Sequence, residues 1–298
     1  MIWIAEAAVR QCLTYEALIP AIRQALIDFS AGRIRQPVRT LLRIEEHNGW
    51  FASMPAAASE VFGAKLVTFF PDNAGKRHTH MAVIQLFRAD TGEPLATMDG
   101  RLITEMRTAA VSAVATDLLA PASTPVLAIL GSGVQARAHL KALRKVRKFE
   151  EVRVWSRNSA HAEAFAAEIG ATAADNVRGA VRDASVVVTV TSSGRPVLQG
   201  KWLSPNAYVN AVGAVGTDRR ELDATAMRGR VVVESRAAAL KESGDPRLAR
   251  AKVWAEIGEL LARPEPPEPG GRIVFKSLGI AAEDIAAAWL VYRAAVNM

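Results

Sequence analysis

From residue 126 onward, short apolar runs take turns with stretches of helical periodicity. The runs at 126–130, 152–155, 186–190, 207–212 and 231–233 follow this rhythm, which predicts a parallel, doubly wound sheet with helices on both faces. The first third of the chain follows a different one. Thr14 caps a predicted helix over 14–30, "TYEALIPAIRQALIDFS", with Glu16 in its first turn. Alternating runs at 38–44, 50–54, 65–70 and 81–87, broken by Gly, Pro, Asn and Asp, predict antiparallel strands, and "DTGEP" at 90–94 is turn chemistry ahead of "LATMDG". A helix over "TEMRTAAVSAVATDLLAP", ended by Pro121, leads into the second pattern. Beyond it "RPEPPEPGG" at 263–271 is a loop, while "RIVFKSLG" and "AAEDIAAAWLVYRAA" predict a strand and a closing helix. The expected fold class is α/β: a Rossmann doubly wound sheet over 119–279, inserted in a discontinuous α+β domain made of 1–118 and 280–298.

Composition narrows the partners. Half of the 298 residues are apolar, enough for a substantial core, and 37 basic against 30 acidic residues leave a net charge of +7. Such a balance suits an acidic small molecule or a merely basic surface. The basic residues are scattered, and the one cluster, "KALRKVRK" at 141–148, reads as the solvated face of a helix, so no nucleic-acid partner is expected. The lone Cys12 excludes an internal disulfide, and no Cys/His grouping has zinc spacing, so no metal is expected. Glu6 and Arg10 interrupt the apolar N-terminus, and no uncharged apolar stretch of about 18 residues occurs, so neither export nor a membrane partner is expected and a cytoplasmic location is.

The sharpest local signal is "VLAILGSGVQARAHL" at 126–140. A dinucleotide turn needs one glycine for the bend, a second where backbone approaches the pyrophosphate, and a small third residue where the helix meets the strand. Gly131, Gly133 and Ala136 fill these places, with Val134 and Gln135 opening the helix whose N-terminus faces the phosphates. The next strand, "VRVWSR", ends about 20 residues later, as this motif requires. An NAD site usually offers a carboxylate there. This chain has Ser156, Arg157 and Asn158 instead, and an arginine suits the 2′-phosphate of NADP, which is the preferred cofactor, with NAD as the alternative.

Seven segments, "QPVRT" (36–40), "KLVTFF" (65–70), "MDGRLITEMRTAAVSA" (98–113), "LGSGVQA" (130–136), "NAVGA" (210–214), "AALKESGD" (238–245) and "VFKSLGIAAED" (274–284), resemble the ornithine cyclodeaminase/mu-crystallin family along nearly the whole chain, and its ketimine-reducing members most. The resemblance implies a homodimer built by the sheet of the first domain, which also binds substrate, and nicotinamide chemistry at a carbon bearing nitrogen. It places Arg39, Lys65 and Arg107 around the substrate carboxylate. Their chemistry agrees, because two guanidinium forks clamp a carboxylate and a lysine is a compact, adjustable acid. Thr79 and His80 of "HTHMAV", together with Thr191, Val212 and Ser277, fall on the cofactor side, and Glu256 of "WAEIGEL" reads as a helix-surface or first-turn acid.

One departure decides between activities. Cyclodeaminases carry a proton-transferring aspartate after "NAVG"; the matching position here is Val215, and Asp218 lies three residues further on. The expected activity is therefore NAD(P)H-dependent reduction of cyclic ketimines such as Δ1-pyrroline-2-carboxylate or Δ1-piperideine-2-carboxylate to proline or pipecolate, with Lys65, or a water it polarises, as the acid. Ornithine cyclodeamination or a related NAD-dependent amino-acid dehydrogenation is the first alternative. The second is a non-catalytic, NADPH-dependent binding protein for a small carboxylate ligand.

Overall fold

The computed structural model describes residues 1–268 and 270–297. The chain divides into two compact units, Met1–Arg107 with Gly279–Met298, and Thr108–Leu278. In chain order the first contributes β1 (Ile2–Ile4), α1 (Glu6–Cys12), α2 (Tyr15–Ser30), β2 (Thr40–Ile44), β3 (Gly49–Ala57), β4 (Val61–Phe69), β5 (His80–Arg88) and β6 (Pro94–Asp99). Helix α3 (Arg101–Leu119) carries the division within it. The sequence pattern put the boundaries at 118/119 and 279/280, because periodicity treats a helix as one piece.

The second unit holds β7 (Val126–Leu130), α4 (Val134–Leu143), β8 (Glu151–Trp155), α5 (Ser159–Ile169), β9 (Thr172–Ala173), α6 (Val177–Val181), β10 (Val186–Thr189), β11 (Tyr208–Ala211), β12 (Arg230–Val233), α7 (Arg236–Glu242), α8 (Gly244–Ala249), β13 (Val253–Glu256), α9 (Ile257–Leu261) and β14 (Ile273–Lys276). Helix α10 (Ala281–Val296) returns to the first unit. Of the loop expected over 263–271, residue 269 lies outside the described residues.

The second unit's strands run in the order β13-β12-β14-β11-β10-β7-β8-β9, every pair parallel, so the doubly wound sheet expected from the alternation is what forms. Its strands are apolar continuously rather than alternately because both faces are buried: Ala128, Val187, Val209 and Val274 enter one core, while Leu127, Ile129, Val188 and Phe275 are equally enclosed. The order reverses between β7 and β10, and the crevice beyond the carboxyl ends of these strands is the usual ligand site of such a sheet. Two strands escaped the sequence pattern. β9 has two residues, and β13 is an edge strand with one buried position, so neither produces an apolar run.

In the first unit the order is β1-β6-β5-β4-β3-β2, antiparallel except for β1 on β6. Helix α2 starts where expected, with the Thr14 hydroxyl accepting from the Ala17 N–H. Strand β3 runs past the expected stop at 54. Pro55 lacks an N–H, but β2 pairs only as far as Ser53, so no bond is lost on that side. The sheet's period of two separates two faces. One carries Met54, Lys65, Ile84 and Met98, all nearly inaccessible. The other carries Leu42, Leu66, Met81, Val83 and Trp3, each 39% exposed or more.

Candidate active site

Each cation expected at the substrate carboxylate reaches its place through a different element. Lys65 sits mid-strand in β4 on the covered face, and Arg107 is on α3. Arg39 immediately precedes β2 and donates from Nη2 to the Gly279 carbonyl at 2.7 Å. Lys65 is 1% exposed and Arg107 5%, depths at which a charged side chain survives only with a partner.

The partners are two carboxylates in the first turn of α10, Glu283 and Asp284, both fully buried. Asp284 bridges the cations, with Oδ2 2.7 Å from Lys65 Nζ and Oδ1 2.9 Å from Arg107 Nε. Glu283 Oε2 accepts from Arg107 Nη1 at 2.6 Å. A helix N-terminus favours anions, so the dipole of α10 adds to the attraction of the two cations for this pair. The start of α10 is fixed from outside, since the Gln36 side-chain oxygen accepts from the Ala282 N–H at 2.8 Å. Gly279 makes the turn into it at φ +71°, and a side-chain carbon there would run into the Arg107 guanidinium. That position needs glycine for conformation and for space.

Burial drives the Lys65 ammonium from 10.5 down to about 7; the Arg107 charge, and to a smaller extent that of Arg39, push the same way, and Asp284 opposes them. Three cations, Arg39, Lys65 and Arg107, face two carboxylates, Glu283 and Asp284, so the cluster retains one positive charge when all are ionised. Such a site can take one small anion and hold a lysine able to gain or lose a proton near neutrality. His80 stacks on Phe69, ring centres 4.5 Å apart, and its Nδ1 lies 3.1 Å from the Thr79 hydroxyl. The residue keeps an exposed edge, while desolvation by its neighbours and the Lys65 charge lower its pKa.

The second unit builds a different kind of site. Gly131 bends the chain at φ +131°, where a Cβ would stand 2.7 Å from the Val190 carbonyl oxygen, and its N–H ties the turn to Trp155 at 2.8 Å. A Cβ on Gly133 would meet no protein atom within 4 Å, so packing does not demand glycine there. Backbone open to an approaching phosphate does. Gly133 is also the N-cap of α4 and offers no side-chain cap to the N–H groups of Val134 and Gln135, while Ala136 is fully buried against the strand. These residues fit a dinucleotide. Beyond β8, Ser156 accepts from the Ser132 hydroxyl at 3.1 Å, and Arg157 and Asn158 are exposed.

Thr191, Val212 and Ser277 stand at the carboxyl ends of β10, β11 and β14 and are engaged by the protein. The N–H and hydroxyl of Thr191 donate to Glu221 Oε1 at 2.7 and 2.6 Å, the Val212 N–H donates to the Thr189 carbonyl, and the Ser277 hydroxyl donates to Glu234 Oε1 at 2.5 Å. Glu221 also takes the Gly213 N–H and the Thr189 hydroxyl, and burial raises its carboxyl pKa against these donors. Glu256 proves to be the N-cap of α9, in a capping box with Glu259, where it also accepts from the Arg236 N–H.

Sequence reasoning found the cations and missed the buried acids Glu221, Glu234, Glu283 and Asp284. For the last two a signal was present. Both fall in phase with Ala287, Ala288 and Val291, the buried stripe of α10, and acids on the apolar face of a helix call for buried cations.

Known proteins share this fold. The model of the ornithine cyclodeaminase/mu-crystallin family matches residues 3–298. Ketimine reductase mu-crystallin of Mus musculus is 45% identical over 284 residues, covering 92% of this chain and 91% of that protein. The structure of Thermococcus litoralis Δ1-pyrroline-2-carboxylate reductase in complex with NADH and L-proline superposes with a TM-score of 0.93 at 32% identity, covering 100% of this chain and 98% of the other. An archaeal alanine dehydrogenase dimer with bound NAD gives 0.92 at 29% identity, over 99% and 96%.

The lysine makes stability depend on pH. Between about 7 and 10.5 the unfolded chain holds a proton that the folded Lys65 has released, so folding gains stability as pH rises through that window and loses it as pH falls. Urea midpoints should show wild-type protein gaining up to about 1.4 kcal/mol per pH unit relative to Lys65→Met. Parallel curves for the two proteins would contradict the depressed lysine.

Proposed function

The chain belongs to the ornithine cyclodeaminase/mu-crystallin family, and from that premise we propose that it reduces cyclic ketimines bearing a carboxylate, Δ1-pyrroline-2-carboxylate and Δ1-piperideine-2-carboxylate, to proline and pipecolate. The observation that carries the reading is the buried cluster itself, in which Arg39, Arg107 and Lys65 meet Glu283 and Asp284 and a protonated Lys65 leaves one positive charge to be balanced. A substrate carboxylate completes its charge balance, with Arg39 and Arg107 as the clamp that orients the adjacent C=N bond. Bound on the glycine turn of the second unit, the reduced nicotinamide dinucleotide supplies the hydride that the imine carbon receives. Lys65 supplies the proton for the imine nitrogen. Its pKa of about 7 places it near the operating pH, where a general acid is most effective.

Val215 supports reduction over cyclodeamination. It stands 42% exposed where the cyclodeaminase members carry their aspartate, and a valine moves no proton. A purely binding role leaves unexplained why the clamp contains a lysine tuned to neutrality.

NADP is the cofactor we assign. Arg157 is exposed directly after β8, between Ser156 and Asn158, with no carboxylate among the three to repel a 2′-phosphate. We also assign a homodimer through the open face of the first unit's sheet, where Leu42, Leu66, Met81 and Val83 lie exposed; a relative of like fold is a dimer. A small carboxylate substrate and a reducing, cytoplasmic setting complete the reading.

The deciding assay is NADPH oxidation with Δ1-piperideine-2-carboxylate. Wild-type protein should turn over, and Lys65→Met should lose about a hundredfold to ten-thousandfold in kcat; ammonia release from ornithine in place of NADPH oxidation would reverse the assignment. Arg157→Ala should weaken NADPH about tenfold to a hundredfold while leaving NADH unchanged, measured as KM for each. Sedimentation equilibrium should give a dimer for the wild type and weaken it about tenfold or more for Leu66→Lys.

A further inference from the structure

Asp284 does more than neutralise. One of its oxygens is on the Lys65 ammonium and the other on the Arg107 guanidinium, so the lysine and the arginine are fixed against the same carboxylate. Among the described residues, the charges that bear on Lys65 are Asp284 from α10, Arg107 from α3 and Arg39 ahead of β2; His80 from β5 feels the Lys65 charge in turn, and Glu283 pairs with Arg107. Lys65 has no solvent to lean on, because it is fully enclosed. Its charge state therefore follows the sum of these neighbours.

We infer that Asp284 is a positioning residue that ties Lys65 to the anion clamp, so that docking of a carboxylate on Arg107 and Arg39 makes Lys65 take up a proton from solvent. The inference rests on the carboxylate-binding reading given above. In the ligand-free cluster two guanidinium charges oppose the ammonium and one carboxylate supports it directly. An incoming carboxylate cancels the opposition. Its negative charge offsets the guanidinium charges that disfavour the ammonium, and Asp284 keeps the two cations close enough for the change to be felt. The step balances simply: one proton leaves the solvent, one N–H bond forms at Lys65 Nζ, and the substrate carboxylate supplies the compensating charge. That proton is the one later handed to the imine nitrogen, which leaves Lys65 neutral again. Binding thus loads the acid, and only a ligand with a carboxylate loads it.

The test needs no turnover. Cyclopentanecarboxylate has the ring and the carboxylate but no nitrogen to titrate, and its binding to the NADP⁺ complex is measured by calorimetry at pH 8 in two buffers of different ionisation enthalpy. With Lys65 near 7, about nine-tenths of it is neutral at pH 8, so the wild type should take up close to one proton per ligand bound. Lys65→Met should bind the ligand with no uptake. Asp284→Asn should shift the uptake profile toward lower pH, an effect that loss of packing alone would not produce. Binding by the wild type with equal heats in both buffers would overturn the proton coupling and leave the reductase reading standing. No binding of the carboxylate by folded wild-type protein would overturn both.

Discussion

Two buried carboxylates at the start of α10 hold the charge of the substrate cluster, and the route of the chain answers to them. Taking Lys65 and Arg107 out of water costs several kcal/mol for each charge, and that cost is offset only where an opposite charge waits in the fold. Removing one partner of such a pair typically costs about 3–5 kcal/mol. The acids lie far along the chain: Glu283 is 176 residues beyond Arg107. The cluster therefore joins the two chain segments of the discontinuous first unit, and the helix that brings the acids packs on α2 and β4. Gly279 enforces this return, since its left-handed turn is also the space the guanidinium occupies.

The two units solve recognition by opposite means. In the second, the groups proposed to bind the dinucleotide are main-chain N–H groups at a helix start and glycines that keep a surface open, none of which titrates. Its buried acids serve the frame: Glu221 joins the ends of β10 and β11 by accepting from Thr189, Thr191 and Gly213, and Glu234 holds the Ser277 hydroxyl. In the first unit the binding groups are side chains whose charges depend on one another. Within the cation cluster the titrating group is Lys65, whereas the glycine turn over 131–136 has no titratable side chain.

How much of this could be read beforehand follows from the range of each interaction. The parallel sheet was legible because burial on both faces makes every central strand an apolar run, and Gly131, Gly133 and Ala136 were legible because a turn is local in sequence. β1 was not, because its three residues gain meaning only by pairing with β6, more than ninety positions away in the register Ile2 to Ala96. Pro55 misled for a related reason. A proline ends a strand only where a neighbour needs its N–H; β2 pairs no further than Ser53, and the next bridge on that side joins Arg35 to Ala57, past Pro55. Arg39, Lys65 and Arg107 came from resemblance more than from pattern. Glu283 and Asp284 were hidden by a local explanation that is true but incomplete, since acids in the first turn of any helix suit its dipole.

That double duty explains why position 65 holds a lysine. An arginine there would remain charged at every accessible pH and would make the cluster a fixed anion trap, with no proton to give. A neutral residue would leave Asp284 facing Arg107 alone and bring the cluster's net charge to zero, since Arg39 and Arg107 would then match Glu283 and Asp284. On the reading proposed above, a group whose charge is conditional lets the same cluster hold a carboxylate and donate a proton beside it. Burial supplies the condition, and the helix that closes the chain supplies the acids that keep it within reach of neutral pH.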